Sequence, residues 1–282
     1  MTFTKEKKIK YFFGIPFFAW HIVVFIMPLI FLFIHSFFTY RNYRIIEQLS
    51  FANYKEIFSS QIFYTSLLNS VRISVISTVI VISLSLAVSY FIYARVNPKH
   101  QKVFVFVILL PLLTNYLLRS YSWSIILSEK GILNWLMLKT HLISEPLPLL
   151  FSEFAIIVGL VSFLTPIVVL LFYLGMTMVN KETIQASLNL GMNELKTFFK
   201  VVLPQIKVFV FMGAFFAFVM SFGDYVVPAI LGGGTTYTYS YNIVDVLNIN
   251  NSPKASALGV IILLLFLLIA FIFLKFIKEK RK

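Results

Sequence analysis

Asp224 is the one carboxylate set deep in a long apolar stretch of this sequence, within Ser221-Phe222-Gly223-Asp224-Tyr225-Val226-Val227-Pro228. A lone carboxylate beside aromatic rings can attract a cation. Acid–base or nucleophilic catalysis needs a second reactive group converging on it. Two readings of Asp224 stand side by side: a helix-end residue whose carboxylate accepts a hydrogen bond, or a group lining a path for a cationic solute. Counted from Lys207 at roughly 1.5 Å per residue, it lies about 25 Å along a helix, where a charge costs less than at the centre of a bilayer. Tyr225 adjoins it. Arg119-Ser120-Tyr121-Ser122-Trp123 adds two rings, Tyr121 and Trp123. They suit either an interfacial aromatic belt or cation–π contact with an alkylammonium group. His21, His35, His100 and His141 show no metal-ligand spacing, and the absence of Cys excludes disulfides and thiolate sites. These residues support binding rather than bond-making.

The elements that must position them are helices in lipid. The 282 residues are 59% hydrophobic and 12% charged, with 32 Phe, against about 25% charged in soluble domains. Apolar stretches at 11–38, 71–94, 103–127, 154–178, 208–231 and 255–276 are expected to span a bilayer, which takes about 20 residues each. Pro111, Thr114 and Asn115 interrupt the third. The expectation is an all-α, polytopic bundle of six transmembrane helices forming one domain, 1–282. A net charge of +13 could suggest nucleic acid, but the basic residues gather at the ends of apolar blocks, as topology requires. Lys5, Lys7, Lys8 and Lys10, then Arg95, Lys99 and Lys102, then Lys181, Lys196, Lys200 and Lys207, then Lys275, Lys278, Lys280, Arg281 and Lys282 make up most of the 24 Lys and Arg. This pattern places both termini in the cytoplasm. The N-terminal Lys cluster and apolar stretch read as a retained first helix, because the stretch exceeds the 7–15 residues of a signal core. Gly131–Met137, with Trp135, reads as a short interfacial helix in an external loop.

Between the fourth and fifth stretches lies a polar segment, 179–207. Ala186, Leu190, Leu195, Phe198, Phe199 and Val202 recur at near-helical spacing, Gly191 divides them, and Pro204 ends the segment. Two short helices with a bend are expected there. Such a pair can lie in a partner's groove and transmit force, or serve only as a connection.

Gln185-Ala186-Ser187 followed by Gly191 and Val201-Val202-Leu203-Pro204 resembles the loop that importer-type ABC permeases insert into their ATPase. The family pattern is Glu-Ala-Ala, three residues, Gly, nine residues, then Ile-x-Leu-Pro. Ala186, Gly191, Leu203 and Pro204 match it, Val201 stands for Ile, and Gln185 and Ser187 depart from Glu and the second Ala. Arg119-Ser120-Tyr121-Ser122-Trp123 with Gly131-Ile132-Leu133-Asn134, and Gly223-Asp224-Tyr225-Val226-Val227-Pro228 with Leu231-Gly232-Gly233, are similar to spermidine/putrescine permeases of the PotB type. Pro16, Trp20, Phe25, Pro28 and Ser36-Phe37 also fit. Asn251-Ser252-Pro253 departs from that family's Asn-Trp-Pro.

The resemblance implies a transport subunit in a bacterial cytoplasmic membrane, importing polyamines by alternating access. Its implied partners are two copies of an ATP-binding subunit, a second and different permease, and an extracytoplasmic polyamine-binding protein. The chain has no Gly-x-x-x-x-Gly-Lys-[Ser/Thr], so ATP and Mg are expected on the ATPase and no cofactor here. Permeases for iron, thiosulfate and phosphonate share much of this pattern and form the nearest alternative. An ATPase-independent channel and a membrane-embedded enzyme are the alternatives from other classes. The first predicts no docking helix, and the second needs converging ionisable groups.

Overall fold

The structure is a computed structural model that describes residues 16–42 and 44–279, with side chains through 272 and at 275. Residues 11–15 of the first expected span and the terminal basic residues Lys5, Lys7, Lys8, Lys10, Lys280, Arg281 and Lys282 lie outside the described residues. The fold is all-α apart from one small hairpin. Among the described residues four helices are long and apolar enough to cross a membrane, and two bent helix pairs bring the number to six. The chain divides into two compact units: the described parts of Met1–Phe63 with Ile243–Phe273, and of Tyr64–Asn242 with Leu274–Lys282.

In the first unit, helix α1 (Pro16–His35) leads into an antiparallel hairpin, β1 (Thr39–Arg41) and β2 (Arg44–Ile46), and then α2 (Ala52–Ser59). Pro28 cannot donate to the preceding turn, and α1 widens to a π turn at Ile22–Ile26, where Met27 N–H reaches Ile22 O. Polar side chains fasten the turn after α1. Ser36 Oγ lies 2.7 Å from Tyr54 Oη, and Asn53 Nδ2 donates to the carbonyls of Ser36 (2.9 Å) and Phe38 (2.8 Å). The last helix, α13 (Ser252–Glu279), supplies Lys254 to Glu56 at 2.6 Å and Ser256 to His35 at 3.1 Å.

The second unit contains most of α3 (Gln61–Arg95), then α4 (Pro98–Leu109), α5 (Tyr116–Leu127), α6 (Ile132–Lys139) and α7 (Glu153–Thr177). It continues with α8 (Lys181–Asn189), α9 (Glu194–Gln205), α10 (Lys207–Gly223), α11 (Val226–Gly232) and the start of α12 (Tyr239–Asn248). Helix α7 is its column. Leu160 packs with Ile73, Val227 and Leu231; Leu164, Val168 and Phe172 pack with Val81 and Ala217; Met176 packs with Val179, Phe198, Val202 and Ile206. A Cβ on Gly213 would lie 2.6 Å from Phe172 Cε1, so glycine is what lets α10 approach α7. Ser85 and Ser89 of α3 donate to the α7 carbonyls of Thr165 (3.4 Å) and Val169 (2.9 Å), the interhelical hydroxyl bonds that apolar surroundings favour.

The third and fifth expected stretches are not single rods. The helical stretch Pro98–Leu113, α4 with a closing 3-10 turn at Leu110–Leu113, meets the stretch Tyr116–Lys139, α5 with α6, at 89°. Pro111 weakens the helix ahead of it, and Asn115 starts a new one by accepting from Leu117 N at 2.8 Å. Helix α10 ends at Gly223, and the chain restarts in α11. The short helix expected at 131–137 is α6. Its buried Asn134 receives Leu147 N (2.8 Å) and donates to Ser128 O (3.1 Å) and Leu147 O (2.9 Å), closing the loop that follows.

Asn134→Ala leaves Leu147 N without a partner and takes one of two donors from the carbonyls of Ser128 and Leu147, which still accept from Gly131 N and Leu149 N. The expected cost is about 2–3 kcal/mol, read as a lower thermal midpoint of the detergent-solubilised protein. An unchanged midpoint would show that the loop closes without this side chain.

Candidate functional site

The segment between α7 and α10 is built as two capped helices. Asn180 caps α8 by accepting from Glu182 N at 2.8 Å, and Asn193 caps α9 by accepting from Lys196 N at 2.8 Å. Gly191 takes φ +84°. Its N–H donates to Leu188 O (2.9 Å) and Met192 N–H donates to Ser187 O (3.1 Å), the paired bonds of a left-handed helix cap. No atom lies within 4 Å of where a Cβ on Gly191 would stand, so glycine is required here by backbone angle.

Ser187 points inward. Its Oγ donates to Ile184 O (2.8 Å) and lies 3.0 Å from Thr197 Oγ1, both residues buried, so one hydroxyl pair ties α8 to α9. Gln185, Ala186 and Pro204 are exposed, and Val201 and Leu203 are half-buried. Before Pro204 the chain again widens to a π turn, Phe198–Val202. Helix α9 then meets α10 at 78°. Arg95 at the end of α3 pairs with Glu194 at 2.6 Å. Among the charged residues of the segment, several large apolar ones are uncovered: Leu190 is 83% exposed, Leu195 69%, Phe199 60% and Leu188 41%. Isolated exposed apolar residues are ordinary, whereas several on one short segment mark an interaction surface.

The second cluster surrounds the break between α10 and α11. Asp224 is half-buried. One carboxylate oxygen accepts from Val227 N at 2.8 Å, and the other accepts from the Tyr116 hydroxyl of α5. Its backbone carbonyl accepts from Ser240 Oγ at 2.5 Å. Tyr116 packs on Phe163 with ring centroids 4.6 Å apart, and the Arg119 guanidinium sits 5.8 Å from the centre of the same ring. Tyr225, 36% exposed, and Tyr121, 56% exposed, present their rings outward. Trp123 is turned into the packing and donates its indole N–H to Ser162 Oγ at 2.9 Å. The structure thus supplies the helix-end hydrogen bond expected as one reading of Asp224.

A family model described as "Binding-protein-dependent transport system inner membrane component" matches residues 101–282, a stretch that contains both clusters. This chain belongs to that family. The permease is 28% identical over 223 residues to the spermidine/putrescine transport system permease protein PotB of Haemophilus influenzae, covering 78% of this chain and 77% of that one. It is 28% identical over 201 residues to PotB of Escherichia coli, covering 71% and 72%. It is 24% identical over 269 residues to the inner membrane ABC transporter permease protein YdcU of Escherichia coli, covering 90% and 85%. A crystal structure of a bacterial ABC transporter involved in the import of the acidic polysaccharide alginate superposes with TM-score 0.78 at 15% identity, covering 100% of both chains. That likeness establishes the fold. The permease is a multi-pass inner-membrane subunit of an ABC importer.

Sequence reasoning missed three partners: Tyr116 and Ser240 around Asp224, and Thr197 opposite Ser187. Tyr116 follows the Asn115 cap and so carries a local signal for its place at a helix start. Nothing in the spacing pairs it with a residue 108 positions away.

The Ser187–Thr197 pair makes a double-substitution test. Ser187→Ala or Thr197→Val alone leaves a buried hydroxyl short of a partner, costing about 1–2 kcal/mol, whereas both together are expected to restore most of the loss. Thermal midpoints of the four forms check this, and additive losses would show that the two hydroxyls act independently.

Proposed function

We propose that this permease is one of two different transmembrane subunits of an ATP-driven polyamine importer, carrying spermidine or putrescine inward by alternating access. The segment from Lys181 to Gln205 would be the part that the ATPase grips. The observation that carries this reading is the capped α8–α9 segment, whose α9 meets α10 at 78°, with Leu188, Leu190, Leu195 and Phe199 uncovered. A permease with no ATP-binding motif of its own can draw on ATP hydrolysis only through contact with the subunit that performs it. Hydrogen-bonded caps at Asn180, Gly191 and Asn193 keep the pair stiff enough to transmit it. The same surface disfavours an ATPase-independent channel.

Gln185, Ala186 and Gly191 would lie at that contact, with Ser187 and Val201, Leu203 and Pro204 shaping it from within. Two ATPase copies would serve the pair of permeases, and ATP and Mg would be bound there. The positions of Lys and Arg along the chain support cytoplasmic termini and place this segment on the cytoplasmic side.

Resemblance to the PotB permeases supports polyamine as the solute, delivered by an extracytoplasmic polyamine-binding protein. The fold does not set the solute, since a transporter of the same fold imports alginate. Tyr121 and Tyr225 would offer exposed rings to an alkylammonium group. Asp224 would add its negative field from behind them, and Trp123 would fix α5 against α7.

Labelled spermidine uptake by cells carrying the whole transporter tests the solute, with unlabelled putrescine, iron chelates, thiosulfate and phosphonates as competitors. Uptake is expected to vanish on deletion of this chain and to be blocked by polyamines alone. Polyamine uptake unaffected by the deletion would overturn the assignment.

Asp224→Asn isolates the charge, because an amide can still accept from Val227 N and pair with Tyr116. Its thermal midpoint is expected to stay near wild type while KM for spermidine rises several-fold. An unchanged KM would confine Asp224 to its helix-end role.

A further inference from the structure

A cavity of about 290 Å³ opens between the end of α3, the start of α4 and the inner side of α8–α9. Its charged lining is Arg95, Lys181 and Glu194; Gln101, Gln185 and Thr197 add neutral polar groups, and Tyr90 and Tyr93 form an aromatic wall. The charges do not cancel. Arg95 and Glu194 pair at 2.6 Å and neutralise each other. Lys181 makes no ion pair among the described residues, and its Nζ stands 5.9 Å from the centre of the Tyr93 ring. Gln185 lies one helical turn beyond Lys181, on the same cavity. A carboxylate at that position would be the ordinary i, i+4 partner of the lysine. The amide of Gln185 offers hydrogen bonds and no charge, so the lining is left with one uncompensated positive charge next to neutral donors.

We propose that this cavity receives an acidic side chain of the docked ATPase, which completes the charge that Lys181 lacks. The inference rests on the docking reading given above. The occupant comes from the docking partner because Leu188 both lines the cavity and is 41% exposed, so the opening borders the surface on which the partner would sit. A protein seated on that face has surface within reach of the opening. Electrostatic complementarity of this kind fixes the register of an interface and speeds encounter more than it adds affinity. The apolar face would thus supply adhesion, and the Lys181–Gln185 cavity would select one orientation of the ATPase.

The experiment is a titration of the ATPase onto the full chain in its permease pair, held in nanodiscs of neutral lipid, at low and high salt. Wild type, Gln185→Glu, Lys181→Gln and Leu190→Ala are compared, with circular dichroism melting to confirm that each is folded. Gln185→Glu supplies a carboxylate from within. It is expected to weaken ATPase binding on the order of threefold at low salt, as Lys181→Gln does, and the difference should shrink at high salt. Unchanged or tighter binding by Gln185→Glu, with Leu190→Ala still weakened, would overturn the acidic-partner proposal and leave docking intact. Absence of binding in wild type, or binding indifferent to Leu190→Ala, would overturn the docking reading itself. Binding unaltered by Gln185→Glu and Lys181→Gln in neutral lipid, with altered ATP hydrolysis in nanodiscs containing phosphatidylglycerol, would overturn the proposal in favour of a lipid phosphate.

Discussion

Hydrocarbon offers no hydrogen bonds, so a chain crossing it must satisfy its own backbone groups and can bend only where side chains stand in for the missing helix. Side chains cap the restarts of this permease in its spans and in the polar segments between them alike. Asn97 accepts from Lys99 N at 3.0 Å where α4 begins, Asn115 serves the 89° turn into α5, and Asn180 and Asn193 open the two helices of the α8–α9 segment. Asp224 does the same between α10 and α11. Two π turns stand immediately ahead of Pro28 and Pro204, where the residue before each proline bonds five residues back. These are adjustments of a helix that has lost a donor.

Function follows from where those bends fall. A straight fifth span would carry its cytoplasmic approach into the membrane along the same axis and would present no lever to a partner. The 78° corner lays α9 across the end of α10, and the Ser187–Thr197 pair keeps α8 with it. Under the proposed docking, displacement of the segment would pass to α10, which packs on α7 through Gly213 and Phe172. At the far end of α10 the break at Asp224 is joined to α5 by Tyr116 and to α12 by Ser240. A path of packed and hydrogen-bonded contacts therefore runs through the second unit from the exposed leucines to the aromatic residues beside Asp224.

The sequence conveyed the helical class and the apolar stretches because burial in lipid leaves a strong compositional signal. Stretch 154–178 matches α7 within a residue at each end, since Ser152 caps its start by accepting from Ala155 N at 3.2 Å. Stretch 71–94 was read too short. The first turns of α3 are polar and buy their helicity through tertiary contacts, such as Ser70 Oγ accepting from Tyr239 N at 2.7 Å. The bend at Gly191 was visible, and its cause was not: a φ of +84° in open space, with no close approach. The interruption by Pro111, Thr114 and Asn115 was seen without being read as a right angle. Contacts over long separations, such as Tyr116 with Asp224 and Arg95 with Glu194, leave no trace in local spacing. The cavity behind α8 depends on just such contacts.

The measurement that bears most directly on the central claim uses the absence of cysteine from this chain. Single-cysteine forms Leu190→Cys, on the uncovered face of α8–α9, and Leu142→Cys, in the loop after α6, would be treated with a thiol-to-amine crosslinker in membranes holding the whole transporter. The account predicts a crosslink to the ATPase from Leu190→Cys, altered in yield by ATP and Mg, and none from Leu142→Cys. Failure of Leu190→Cys to reach the ATPase in a transporter that still imports its solute would contradict the claim that this segment carries the drive.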